Sequence, residues 1–178
     1  MSDAEIDEGA AIRTAVERAR KAMSRMRSVG RGTARTRARI TEGLTCRVED
    51  GGWSFTADMP EKAGGAGEGP DPGVYGRAAL ATCLAVGYSM WSAYEGVPLT
   101  SLEVEVEADY DARAEYGLGE GTPGYHGLRW IVKVESPASE EDVRRVLATA
   151  EARSPWLAVF QNPQTLNREL QFKPKGRG

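Results

Sequence analysis

Residues Gly64 to Met90 read GGAGEGPDPGVYGRAALATCLAVGYSM, and the rest of the chain organises itself around this stretch. Up to Pro70 it is a glycine-rich run that lacks the lysine and hydroxyl residue of a phosphate-binding loop, so it is expected to be a mobile connection. Asp71 followed by Pro72 then marks a helix start: the carboxylate caps free amides, and the fixed φ of proline suits the first turn. From there to about Tyr94, the residues Leu80, Cys83, Leu84, Gly87 and Trp91 fall on one stripe, with Ala78, Ala81 and Ala85 on an adjoining face. Such a helix is predicted to be buried on more than one side.

Upstream, Ile12, Val16, Ala19, Met23 and Met26 recur at three- and four-residue spacings, which predicts an amphipathic helix over residues 10–28 with a basic outer face. The period changes to two at Thr33, where Arg35, Arg37 and Arg39 alternate with smaller residues on a predicted strand. Two more strands, about 44–48 and 53–57, flank the turn signal Asp50-Gly51. Downstream, Leu102 to Ala108 and Leu128 to Val134 alternate as strands on either side of a glycine-rich excursion. Ser139 caps a helix whose buried stripe is Val143, Val146, Leu147 and Ala150. Ser154-Pro155 breaks that helix, and a last strand is predicted over 165–172. The order is helix, three strands, long helix, two strands, helix, strand: an α+β protein.

The 178 residues, 40% hydrophobic and 28% charged, suit one globular core and exclude a wholly disordered chain. No apolar run reaches the roughly 18–20 residues of a membrane helix, and MSDAEIDEGA does not read as a secretory signal, so the cytoplasm is the expected location. Cys46, Cys83 and His126 have no metal-ligand spacing, and no metal or cofactor is expected. Nucleic-acid binding would rest on the basic segment 13–39 alone and is not expected. That segment has an acidic counterpart in Glu103, Glu105 and Glu107, whose alternation matches that of the three arginines; the two strands are expected to present complementary faces.

Gly64 to Met90, followed by two strands, a helix and SPWLAVFQNP (Ser154 to Pro163), resembles the OsmC/Ohr family of organic hydroperoxide resistance proteins. In element order the resemblance covers Thr33 to Phe172; only the glycine loop leading into the Cys83 helix is specific at residue level. It implies antiparallel sheets wrapped around a long central helix in an intertwined homodimer. The chain then divides into a helical extension at 1–30, a family domain at 31–172 and a disordered basic tail at 173–178.

The resemblance also implies a chemistry. Family peroxidases use a reactive cysteine on the central helix, a second cysteine at the start of the last helical segment, and an arginine and a glutamate that organise the thiolate. Cys83 falls at the first position. Ser154 stands at the second, before Pro155, and Gly73 stands where the glutamate follows the proline. The arginine would be Arg37, with Arg35 or Arg39 as alternatives. On its pattern alone Cys83 is a small core residue; its family position makes it a candidate reactive thiol. His126 is expected to be exposed, Ser154 to be a cap or turn residue, and Trp91, Tyr94, Trp130 and Trp156 to be core and interface aromatics. Two functions are therefore expected as alternatives. One is a divergent one-cysteine reductase of small organic hydroperoxides that draws on an external thiol. The other is a non-catalytic dimer binding a small apolar molecule at its interface.

Overall fold

The central helix begins where Asp71 and Pro72 place it. In the computed structural model, which describes residues 3–174, α2 runs from Pro72 to Glu95, and the Asp71 side chain accepts a hydrogen bond from the Val74 N–H. Before it come α1 (Asp3–Arg25) and a meander of β1 (Thr36–Glu42), β2 (Thr45–Asp50) and β3 (Trp53–Ala57). After it come β4 (Ser101–Tyr110), β5 (Tyr125–Glu135), α3 (Glu140–Glu151) and α4 (Pro155–Gln161). The strands form two antiparallel sheets, β1-β2-β3 and β4-β5, so the α+β expectation is met.

The core follows from helical spacing. Leu80, Leu84, Tyr88 and Trp91 recur at four, four and three residues and are all buried along one side of α2. Val143, Val146 and Ala150 of α3 and Leu157 of α4 join them, with Val104, Val106, Trp130 and Val132 of the β4-β5 hairpin packed against the cluster. Complete burial of Leu80 or Leu84 stabilises by roughly 1.5–3 kcal/mol each. The Tyr88 hydroxyl is satisfied inside the protein by a 2.7 Å bond to the Glu151 carboxylate. On the opposite side of α2, Ala78, Thr82 and Val86 are exposed.

Four expectations need correction. The acidic strand does not complement the arginines of β1: Glu103 lies opposite Lys133 and Glu107 opposite Arg129 within the β4-β5 hairpin, and both pairs form salt bridges. On β1, Arg37 instead faces Glu49 and Arg39 faces Arg47 in β2, while Arg35 precedes the strand. Residues 165–172 form no strand, because a strand exists only through its ladder and no element among the described residues pairs with them. Ser154-Pro155 does more than end α3: it also starts α4, by the same capping geometry that starts α2.

The fourth correction concerns the glycine-rich loop, which is tied down. Asp58, almost fully buried, accepts hydrogen bonds from the Thr45 hydroxyl and from the N–H groups of Met59, Ala66 and Glu68. Burial pushes its carboxyl up, but these donors outweigh it and hold the group below its ordinary range. A side chain at Gly65 would place its Cβ 1.8 Å from the Met59 carbonyl oxygen, and one at Gly69 would meet the Thr56 carbonyl at 2.5 Å. The glycines are there because backbone passes against backbone.

α1 lies along α2. The Arg13 Nε donates to the Ala93 carbonyl at 3.0 Å, near the C-terminal end of α2, where a cation is favoured by the helix dipole. Of the basic tail expected at 173–178, residues 175–178 lie outside the described residues.

Candidate functional site

Cys83 occupies the edge of the buried stripe of α2, half-buried, one turn after Ala79. Its sulfur faces the junction of α3 and α4. Ser154 is buried there as the N-cap of α4, its hydroxyl accepting from the Leu157 N–H at 3.2 Å. The same hydroxyl oxygen is 3.3 Å from the Cys83 sulfur. Because the oxygen already accepts from the amide, its own proton is free to point at the sulfur, which accepts a hydrogen bond best as a thiolate.

The two residues open onto a cleft of about 380 Å³ whose walls are Val86, Met90, Trp91, Ala150, Arg153 and Trp156, with Cys83 and Ser154 between them. Apart from Thr82, the walls among the described residues are apolar except for one cation. Arg153 holds its guanidinium 4.7 Å from the centre of the Trp91 ring and donates to the Thr149 carbonyl at 2.9 Å. A second and larger cleft, about 570 Å³, lies between α1 and the C-terminal end of α2, lined by Ile12, Val97, Leu99 and Leu102 among others. Among the described residues its lining includes no thiol, histidine or carboxylate, whereas the smaller cleft holds a thiol.

The stretch from the tied glycine loop through the last helix, which carries this site, matches a known family. Residues 65–169, more than half of the chain, match the family described as OsmC-like protein. The chain belongs to the OsmC-like family. Solved structures agree in fold. An OsmC-like protein from Mycoplasma pneumoniae superposes with a TM-score of 0.63 at 16% identity, over 73% of this chain and 88% of the other. An organic hydroperoxide resistance protein OsmC from Legionella pneumophila gives 0.55 at 16% identity, over 73% and 90%. The organic hydroperoxide resistance protein OhrB of Bacillus subtilis gives 0.50 at 19% identity, over 73% and 91%. No curated protein matches.

Within this OsmC-like chain the residues singled out from the sequence are only partly brought together. Cys83 and Ser154 meet. Gly73 does not join them: it lies ten positions before Cys83 on α2, which is roughly 15 Å along a helix axis. There its carbonyl accepts from the Tyr125 hydroxyl at 3.3 Å, and Arg77 donates to that same hydroxyl at 3.2 Å. Arg35, Arg37 and Arg39 are exposed and none lines the thiol cleft of this chain. Cys46 sits on β2 opposite Ile40 and Ala57, and it too is absent from the cleft. His126 is exposed on β5. Of the four aromatics, Trp91 and Trp156 line the cleft, Trp130 belongs to the packing around the core, and Tyr94 packs edge-on against Trp91 at 5.5 Å.

Arg153 is the residue that sequence reading missed. Its position immediately before Ser154-Pro155 was the available signal, since whatever precedes an N-cap at a helix–helix turn is carried to the same place as the cap.

Proposed function

We propose that this OsmC-like chain is a cytoplasmic homodimeric protein of oxidative-stress defence, a slow one-cysteine reductase of organic hydroperoxides acting through Cys83. The observation that carries this reading is the 3.3 Å contact between the Cys83 sulfur and the Ser154 hydroxyl at an open apolar cleft. A thiol with a hydroxyl donor beside it and mostly apolar walls around it suits attack on a hydroperoxide whose organic part is apolar. The names of the Legionella and Bacillus structures, both organic hydroperoxide resistance proteins, point the same way. Two free thiols fit a reducing compartment.

The chemistry divides into two stages. The Cys83 thiolate attacks the outer peroxide oxygen; the O–O bond breaks, the sulfur becomes a sulfenic acid, and the alkoxide leaves and takes a proton from solvent. Ser154 cannot form a disulfide with that sulfenic acid, so an external thiol must. It condenses with the sulfenic acid to a mixed disulfide, releasing water, and a second thiol molecule then frees Cys83.

A dimer suits the fold: Leu166, Leu170 and Phe172 are 88%, 78% and 76% exposed on the strandless C-terminal segment.

The test is consumption of cumene or tert-butyl hydroperoxide with a dithiol such as dihydrolipoamide, run beside intact-mass measurement. Slow turnover that vanishes in Cys83→Ser, with oxygen added at Cys83, is the expected result. Equal activity in Cys83→Ser would remove the proposal. A Cys83 that stays unmodified by peroxide would instead favour the second reading, a non-catalytic dimer that binds a small apolar molecule, which the apolar walls of the cleft support.

A further inference from the structure

We infer that Arg153 makes the Cys83 cleft selective for a negatively charged small thiol as its external reductant. The inference rests on the proposed one-cysteine cycle and specifies the class of molecule that completes it. Three observations combine. Cys83 has a hydroxyl, not a thiol, as its neighbour, so the sulfur that reduces it must enter from outside. The cleft through which it enters is open to solvent in this chain and has, among the described residues, one charged side chain in its wall, Arg153. That guanidinium is held in place by the Trp91 ring at 4.7 Å and the Thr149 carbonyl at 2.9 Å.

Several cations elsewhere in the chain are occupied by carboxylates, and Arg153 is not one of them. Arg113, Arg129, Lys133, Arg144 and Arg145 each form a salt bridge, whereas among the described residues no carboxylate pairs with Arg153. A guanidinium anchored by its face and one amine keeps donors for a carboxylate, and its planar fork binds one in two-point fashion. Glu151, the nearest acid in sequence, is occupied by the Tyr88 hydroxyl. A monothiol carrying a carboxylate two or three bonds from its sulfur thus finds its anion held at the cleft wall and its sulfur directed to Cys83. The bonds made and broken are those of the cycle above: sulfenic acid plus thiol gives mixed disulfide plus water, and a second thiolate displaces the first to give the free disulfide. Two electrons pass from two thiols to one hydroperoxide.

Charge selectivity is measurable without peroxide. The full-length protein is treated with three matched disulfides: 3,3′-dithiodipropionate, 2-hydroxyethyl disulfide and cystamine, which are anionic, neutral and cationic. Rates of mixed-disulfide formation at Cys83 are read by peptide mass and divided by those of a small neutral free thiol. The fraction of Cys83 present as thiolate cancels in the anion-to-cation ratio, so a general effect of Arg153 on thiol acidity does not imitate recognition. A normalised ratio of about tenfold or more is expected for wild type, the scale of one charge-assisted hydrogen-bonded contact. It should fall towards unity in Arg153→Gln, persist in part in Arg153→Lys, and shrink with salt. A wild-type ratio near one, a ratio unchanged in Arg153→Gln, or failure of all three reagents to reach Cys83 overturns the inference. Loss of hydroperoxide reduction with the charge ratio intact would instead remove the peroxidase reading and leave the anion site standing.

Discussion

The Cys83 sulfur touches the Ser154 hydroxyl while that hydroxyl is also the cap of α4, so one side chain both starts a helix and faces the thiol. Replacing it tests the geometry directly. Ser154→Cys is expected to form an intramolecular disulfide with Cys83 on mild peroxide treatment, seen as loss of two hydrogens by intact mass. Wild type under the same treatment gains oxygen instead. The substitution removes an N-cap and should cost about 0.5–2 kcal/mol in the reduced protein. Oxygen addition at Cys83 with no disulfide in the variant would show that the two sulfurs cannot reach bonding distance.

Cys46 is expected to play no part in this chemistry, because it lies on β2 outside the cleft. Cys46→Ser should leave peroxide consumption within about twofold of wild type, since a surface-sheet substitution away from the site changes little. Excess peroxide should carry Cys83 to the sulfinic acid in both proteins. Rapid turnover through a Cys46–Cys83 disulfide would contradict this.

Tyr88→Phe should destabilise the protein without touching the thiol. The wholly buried hydroxyl donates to Glu151, and a hydrogen bond to a charged group contributes about 1.5–3 kcal/mol, which for a chain of this size corresponds to a Tm shift of about 2–4 °C per kcal/mol. Burial first, then the hydrogen bond to Glu151, then the Glu151 charge push the phenol above its ordinary value near 10. The folded state therefore holds the proton more tightly than the unfolded chain. This stabilisation is complete below the ordinary value and is lost as pH rises through the higher folded one. Thermal melts across alkaline pH should show wild type losing stability faster than Tyr88→Phe.

Asp58→Asn should loosen the glycine-rich loop. An amide in place of the carboxylate turns an NH2 group towards N–H donors that it cannot accept from. Hydrogen exchange at the Ala66 and Glu68 amides should accelerate at least tenfold. The pH sign is the opposite of that for Tyr88: the depressed carboxyl stabilises fully above its ordinary value of 3.8, and the contribution disappears as pH falls through the lower folded value. Unchanged exchange in the variant would mean that the loop holds itself.

The strandless C-terminal segment should matter to association. Sedimentation of the full chain is expected to give a dimer, and removal of residues 165–172 to weaken it by at least tenfold in Kd. The unpaired backbone and three exposed apolar side chains suit a ladder on a second copy. A folded monomer at micromolar concentration would refute the dimer.

Local grammar made much of this molecule readable. Asp71-Pro72 announced α2 because a cap and a first-turn proline act within four residues, and the alternation of Leu102 to Ala108 announced β4 for the same short-range reason. Ser154-Pro155 carried the same grammar, and Ser154 was expected as a cap or turn residue, but the element order left out the helix it opens, which is just seven residues long. Partners across the fold were harder. Glu103 and Glu107 suit any basic strand, and only the hairpin register assigns them Lys133 and Arg129. Asp58 looks like any acid at a strand end, and its role depends on the Ala66 and Glu68 amides of a loop folded back over it. In the site, Cys83 and Ser154 were legible through a familiar order of residues. The stacking of Arg153 on Trp91 was not, because a rotamer set by an aromatic face leaves no periodic trace.

Trp91 has a second guanidinium against it. Arg20 of α1 stands 5.8 Å from the ring centre, with Arg153 at 4.7 Å. α1 lies wholly before the residues that match the family, yet it touches the same indole that orients the cation of the thiol cleft. The thiol cleft therefore has a wall that is set from outside it: a change at Arg20 of α1 can shift the indole, and with it the Arg153 cation, while every residue lining the cleft stays as it is.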